Sequence, residues 1–80
     1  MILRMFAIYD SKACAFGQPH VALTDSEAVR SFLDITSDRE TSYGRHPEDY
    51  DLWFIGEFDT ATSLLTPATK ILRIFSPQNI

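Results

Sequence analysis

Cysteine is nearly absent from this sequence of 80 residues, and the one that is present, Cys14, has no partner for an internal disulfide. A small fold stapled by disulfides is therefore excluded, and the composition fits a reducing compartment. The chain must be held together by its hydrophobic residues, which make up 45% of it. A single core in so short a chain is modest, and small domains often gain stability by associating, so a homodimer is one possible arrangement.

Metal-binding and catalytic patterns are also missing. No pair of cysteine or histidine residues has the short spacing of a structural zinc site, and the three glycines are isolated, so no glycine-rich loop can cradle a phosphate. We therefore predict a protein without catalytic residues, cofactor or bound metal. The alternative is a small metal-dependent hydrolase that uses the carboxylates between Asp49 and Asp59.

Positive charge is scarce as well. Seven Lys and Arg residues stand against eleven Asp and Glu residues, and the formal net charge is −4. This balance opposes nonspecific attraction to DNA phosphates and argues against a coating or histone-like role. Any DNA-binding function would need a local basic patch on an acidic background.

Long hydrophobic runs do not occur. No stretch approaches the roughly 20 apolar residues that a membrane helix needs. The opening segment MILRMFAIYD is interrupted by Arg4, ends at Asp10 and is not followed by a cleavage site, so it does not read as a signal peptide. We expect no membrane partner.

The residues that are present predict two pairs of strands. Residues 2–9 carry apolar side chains on both alternating faces, as in a strand covered on two sides, and residues 20–23 predict a short strand that pairs back on it. Residues 51–58 predict a third strand, in which Gly56 marks a bulge or a close approach of another element. A return strand begins at residues 64–65.

The C-terminal part and the connections are less regular. Residues 10–19 predict a plain connection, and Pro67 is expected to end the return strand. Residues 70–75 predict either a last strand or a docking arm. We expect a single domain over residues 1–75 and a frayed tail over residues 76–80.

A helix separates the two pairs of strands. Thr24 and Glu27 have the spacing of a capping box, in which each side chain bonds the backbone N–H of the other residue. Apolar residues such as Ala28 and Phe32 then recur at helical spacing to about residue 36, with polar residues on the opposite arc. The polar segment 37–50 follows, without a period of its own, and loops of that length are usually functional or disordered.

Together these elements predict an α+β fold in β-β-α-β-β order, a small antiparallel sheet with one amphipathic helix packed on one face. The sheet face away from the helix would carry Met5, Trp53 and Ile55. Apolar residues exposed in this way usually mark an interface, either between two copies or with another protein.

The polar segment and the helix also supply candidates for nucleic-acid contact. Arg39, Tyr43 and Arg45 lie in the segment, and Arg30 lies on the polar arc of the helix. Arginines interleaved with a tyrosine suit phosphate contact combined with base stacking. The alternative is a solvated loop whose arginines pair with the neighbouring carboxylates.

Four strings resemble the small nonstructural protein of gokushoviruses, a group of single-stranded DNA bacteriophages, and they occur in that family's order and spacing across roughly residues 6–60. They are YDSKA at residues 9–13, TDSEAVRSF at residues 24–32, RHPEDYDLW at residues 45–53 and IGEFD at residues 55–59. The C-terminal residues match poorly, and Ser63 stands where the family often has a glycine after the turn.

The resemblance implies a nonstructural protein that is made in the cytoplasm of the infected bacterium and is absent from the virion. Members of that family are described as DNA-binding proteins that help viral DNA replication switch to single-stranded genome synthesis. No catalytic residues come with the resemblance.

Two hypotheses follow. The first is a noncatalytic phage accessory protein that binds DNA, preferably single-stranded, as a homodimer. The second is an acidic protein–protein interaction module that binds the phage initiator or a host replication factor without touching DNA.

Overall fold

The structure, a computed structural model, describes residues 1–76. It confirms the predicted α+β fold, since this part of the chain forms an antiparallel sheet with one main helix. The elements in chain order are β1 (Ile2–Asp10), β2 (Ala15–Phe16), β3 (His20–Ala22), α1 (Asp25–Thr36), the short helix α2 (Ser42–Arg45), a 3-10 turn (Pro47–Asp49), β4 (Tyr50–Asp59) and β5 (Leu65–Phe75).

Strand β1 lies in the middle of the sheet. It pairs along its whole length with β4 on one side, and with β3 near its start and β2 near its end on the other. The predicted return of residues 20–23 onto β1 is confirmed, with Val21 opposite Met5. The expectation of a plain connection over residues 10–19 is wrong, because that segment contains β2, which is too short for a period to show.

A bulge interrupts β4 at Ile55 and Gly56. Met5 and Phe6 are consecutive in β1, yet they pair with Gly56 and Phe54, which leaves Ile55 as an extra residue. One extra residue in one strand of an antiparallel pair is the definition of a β-bulge. The bulge predicted at Gly56 is therefore confirmed.

The bulge changes which side of the sheet the later residues of β4 occupy. Side chains alternate strictly along a strand, so one extra residue reverses the alternation beyond it. Glu57 consequently pairs with Arg4, whose side chain reaches α1, while Phe58 pairs with Leu3. A strict alternation along residues 51–58 would place Glu57 on the same side as Trp53, and the bulge is the reason that it does not lie there.

Helix α1 covers one side of the sheet. It begins where the sequence predicts, with the Thr24 hydroxyl accepting a hydrogen bond from the Glu27 N–H at 3.1 Å. Within residues 1–76 the reciprocal bond of the capping box is not formed. The buried side of the helix packs onto the sheet, and the core consists of Phe6, Ile8, Ala28, Phe32, Tyr50 and Leu52.

The polar segment 37–50 has more structure than its sequence suggests. Thr41 caps α2, because its hydroxyl accepts from the Gly44 N–H at 3.1 Å. A Cβ at Gly44 would collide with the backbone of Asp38, so the chain can fold back here only with glycine. A 3-10 turn then begins at Pro47, whose fixed φ suits the first position of a helical turn.

Strand β5 corrects the expectation that Pro67 ends the return strand. β5 runs through this residue to Phe75, and Pro67 pairs with Gly56. A proline is tolerated because β5 is an outer strand, where a missing N–H breaks no inner ladder. In the turn before β5, Ser63 has φ 64°, a left-handed conformation that favours glycine.

The first residue of the predicted C-terminal tail is packed against the rest of the protein. The frayed tail is predicted over residues 76–80, but Ser76 is buried, and residues 77–80 lie outside the described residues. Among residues 1–76, no helix has both the length and the apolar character needed to cross a bilayer.

We predict that Gly56→Ala destabilises the protein by about 1–3 kcal/mol, the usual cost of overpacking. A Cβ at Gly56 would lie 2.5 Å from the Thr66 carbonyl oxygen, so β4 and β5 would have to separate. Gly17→Ala is the matched control, because its Cβ would make only an ordinary 3.6 Å contact with the Ile8 oxygen. Urea unfolding measures both variants, and equal midpoints would contradict the close approach.

Candidate functional site

The sheet has an uncovered side, which we call the open face. Both helices lie on the opposite side, where α1 covers the core and Tyr43 of α2 packs against Tyr50. Strand register places apolar residues from all five strands on the open face; they are Leu3, Met5, Ala7, Tyr9, Phe16, Val21, Trp53, Ile55, Phe58 and Leu65. The predicted interface residues Met5, Trp53 and Ile55 thus lie together, and their role in an interface stays a prediction.

Three aromatic rings form one corner of the open face. The ring centroids of Tyr9 and Phe16 are 4.9 Å apart, and Phe16 meets Trp53 edge to face at 5.9 Å. The Trp53 indole Nε1 is buried and has no acceptor within residues 1–76. Desolvation, together with Cys14 and Asp10, raises the pKa of the Tyr9 hydroxyl above 10.0, so this residue carries no charge at physiological pH.

The open face is almost free of charge. Among the charged residues of β1 and β4, register leaves only Asp51 on this side, and Arg73 Nη1 lies 3.9 Å from Asp51 Oδ2. Arg4 is held on the other side, where its Nε donates to Asp25 Oδ1 at 2.6 Å and its guanidinium lies 4.0 Å from the centre of the Phe54 ring. The open face therefore carries no net charge.

A shallow apolar depression of about 330 Å³ lies where the bulge meets β5. It is lined by Met5 of β1 and Ile55 of β4, and by Leu65 and Pro67 of the outer strand β5. The depression exists because the bulge displaces Ile55 from the regular pleat. It gives the open face a concave region that a protruding side chain can fill.

The second candidate surface is the arginine loop, which we define as Arg39 to Arg45. Arg45 Nη1 donates to the Arg39 carbonyl oxygen at 3.2 Å, so the Arg45 side chain is folded back beside Arg39. Both residues are exposed, and neither forms an ion pair within residues 1–76. The alternative in which these arginines pair with nearby carboxylates is not what this part of the chain shows.

Tyr43 lies between the two arginines in sequence but is partly occupied by packing. Its ring centroid is 4.7 Å from that of Tyr50, and it is only half-exposed. The rest of the ring lines a groove of about 370 Å³ between α1 and the connection that precedes β3. Phe32 and Ile35 contribute apolar lining to this groove, and His20 also lines it.

Arg30 is placed apart from the loop. It is exposed on α1, six residues before the end of the helix at Thr36, which corresponds to about 9 Å of helix. Its neighbours at helical spacing are Glu27 and Asp34, so the electrostatic potential around Arg30 is lowered by two carboxylates. The structure therefore brings together Arg39, Tyr43 and Arg45, but does not link Arg30 to them.

A comparison with protein-family models finds a match over nearly the whole chain. The matching model is that of the phage ORF5 protein, and it covers residues 3–79. The chain belongs to the phage ORF5 protein family. Neither the curated proteins nor the solved structures give a significant match.

In this phage ORF5 family member, the carboxylates from Asp49 to Asp59 do not converge. They are spread along β4, with Asp51 on the open face and Glu57 on the helix side. A different group, made of His46, Glu48 and Asp49, has possible ligand atoms within 4.8 Å of one another. His46 and Glu48 are exposed, and acidic groups at a surface often cluster without binding an ion, so this cluster by itself does not indicate a metal site.

We predict that Phe16→Ala exposes the Trp53 indole. The ring of Phe16 is the described edge-to-face partner of Trp53, and the chain has no other tryptophan, so its emission reports on this corner alone. The emission maximum should move to longer wavelength while the far-ultraviolet circular dichroism stays unchanged. Leu33→Ala, on α1, is the control; an unchanged spectrum for Phe16→Ala would place Trp53 elsewhere.

Proposed function

We propose that this phage ORF5 family member is a noncatalytic accessory protein that binds single-stranded DNA in the cytoplasm of the infected bacterium. The family is that of a phage protein, and the quoted strings resemble the nonstructural proteins of single-stranded DNA phages. The observation that carries the proposal is the pair Arg39 and Arg45. The Arg45 guanidinium donates to the Arg39 backbone carbonyl at 3.2 Å, and neither side chain forms an ion pair within residues 1–76.

The groove beside the arginine loop favours a single strand over a duplex. Its volume of about 370 Å³ accommodates a nucleobase, and the half-exposed rings of Tyr43 and His20 supply aromatic surface. Bases become available for such a groove only when they are unpaired and turned outward. The two guanidinium groups would then contact the phosphates on either side of the inserted base.

The acidic composition limits how strongly this surface can bind. With a net charge of −4, the chain gains little from long-range attraction, so contact depends on the two local arginines. Two phosphate contacts on a single strand predict a slope of log affinity against log salt of about −1.4. Such a slope is shallow compared with that of proteins that coat DNA.

We predict that Arg39→Ala with Arg45→Ala weakens binding to a single-stranded oligonucleotide and flattens its salt dependence by about 1.4 in slope, because two phosphate contacts are lost. Fluorescence anisotropy of a labelled oligonucleotide of mixed sequence, at about 50 and about 200 mM salt, measures both effects. The same oligonucleotide as a duplex should bind more weakly, because its bases cannot enter the groove.

The matched control is Lys12→Ala with Lys70→Ala, which removes the same charge from two exposed residues outside the arginine loop. This control should retain most of the affinity of the unsubstituted protein. Equal losses in both double variants would mean that net charge rather than the loop governs binding. Weak binding without salt dependence in the unsubstituted protein would reject DNA as the ligand.

A second candidate function is that of a protein–protein interaction module. The specific observation in its favour is the open face, which is apolar and carries no net charge. In this alternative the chain would hold the phage initiator or a host replication factor and would not touch DNA. A partner that remains bound in stoichiometric amounts after nuclease treatment, from infected cells, would favour this candidate over DNA binding.

A further inference from the structure

We propose that the open face is the interface of a homodimer, in which two copies pack their sheets against each other and the helices lie outside. The inference concerns the open face alone and does not depend on the arginine loop or on DNA. Its occupant is a second copy of this chain, as the charge, the area and the shape of the face indicate.

Charge complementarity favours a second copy. The chain has a net charge of −4, so most of its surface repels another copy of itself. The open face is the exception, because its one carboxylate on β1 and β4, Asp51, is matched by Arg73, and Tyr9 remains neutral. Two open faces can therefore meet without like charges opposing each other, whereas a charged partner would find nothing there to pair with.

The bulge in β4 keeps a second carboxylate, that of Glu57, off this face. If residues 53–57 alternated regularly, with Ile55 paired instead of bulged, Glu57 would lie on the same side as Trp53. A carboxylate there would be buried without a counter-charge when two copies met, which strongly disfavours such a contact. With the bulge, Glu57 lies beside Arg4 on the helix side, and Phe58 takes a place on the open face.

The area is sufficient for a stable pair. Strands of nine or ten residues are about 30 Å long, and four strand positions side by side are about 19 Å wide, so the projected face is on the order of 500 Å². The accessible surface of projecting side chains exceeds this projection. A specific interface needs roughly 500 Å² per partner at the least and about 800 Å² in typical cases.

The face is also shaped for packing of sheet on sheet. Two sheets that pack face to face lie about 10 Å apart with interdigitated side chains. The depression of about 330 Å³ beside Met5 and Ile55 can receive a protruding side chain of the other copy. The Trp53 Nε1 is already out of contact with solvent, so covering the face desolvates no further donor at this position.

The test is the mass of the full chain in solution, measured by sedimentation equilibrium over a wide concentration range. The expected result is reversible association to twice the chain mass of 9.1 kDa. A mass of one chain at every concentration would overturn the proposal. Association beyond two copies would also overturn it, because in the dimer each open face is covered by the other copy and cannot bind a third.

Two single variants locate the interface. Val21→Glu and Leu65→Glu alter opposite margins of the open face, and both residues are substantially exposed in the single chain, at 45% and 60%, so folding should tolerate the change. Each should raise the dimer dissociation constant at least about 100-fold, since symmetry buries two new carboxylates per dimer. Leu33→Glu is the matched control, because Leu33 is 39% exposed on α1, outside the open face.

A second readout separates dissociation from unfolding. Trp53 lies on the open face, so dilution of the unsubstituted protein should move its emission to longer wavelength at the concentration where the mass falls. Val21→Glu and Leu65→Glu should show the diluted spectrum at all concentrations, with circular dichroism unchanged. If Leu33→Glu dissociates the pair and the other two variants do not, the helix side is the interface and the proposal is wrong.

Discussion

β1 and β4 pair at nine positions, and both candidate surfaces follow from this ladder. The ladder forces consecutive side chains to opposite sides of the sheet, so that Phe6, Ile8 and Leu52 meet α1 while Met5 and Trp53 cannot. One helix of twelve residues can cover only one side. A two-sided apolar sheet with one helix therefore leaves the other side uncovered.

The bulge adds a second constraint to the same ladder. An extra residue next to Gly56 reverses the order of side chains at the end of β4, which sends one carboxylate to the helix side and an aromatic ring to the open face. Glycine at position 56 allows the backbone of β4 to lie close to Thr66 at the bulge, because any larger residue would push β5 away. The bulge in β4 thus determines on which side of the sheet the Glu57 carboxylate lies.

The two surfaces have different chemistry and lie on different sides of the molecule. The open face is apolar and carries no net charge, which suits a large, dry contact with another protein surface. The arginine loop is small, polar and next to a groove, which suits a few contacts with an extended anionic chain. In the proposed dimer both loops remain outside, so that the proposed weak contacts with a strand would be doubled and would reinforce each other.

The sequence by itself determined the fold class, the helix and its cap at Thr24, and the apolar character of both sides of β1, because these depend on spacing within one element. It also pointed to Gly56, since an isolated glycine in a strand has few explanations. Membership of the phage ORF5 family likewise rests on the sequence, through its match over residues 3–79.

Only the tertiary structure decided the rest. The length of β5, the pairing of two-residue β2, the side on which Glu57 lies and the approach of Arg45 to Arg39 all depend on contacts between residues distant in sequence or on backbone turns without a period. Periodicity describes one element at a time, whereas register joins two. For that reason the sequence could predict an uncovered apolar side, but not that it would carry no net charge.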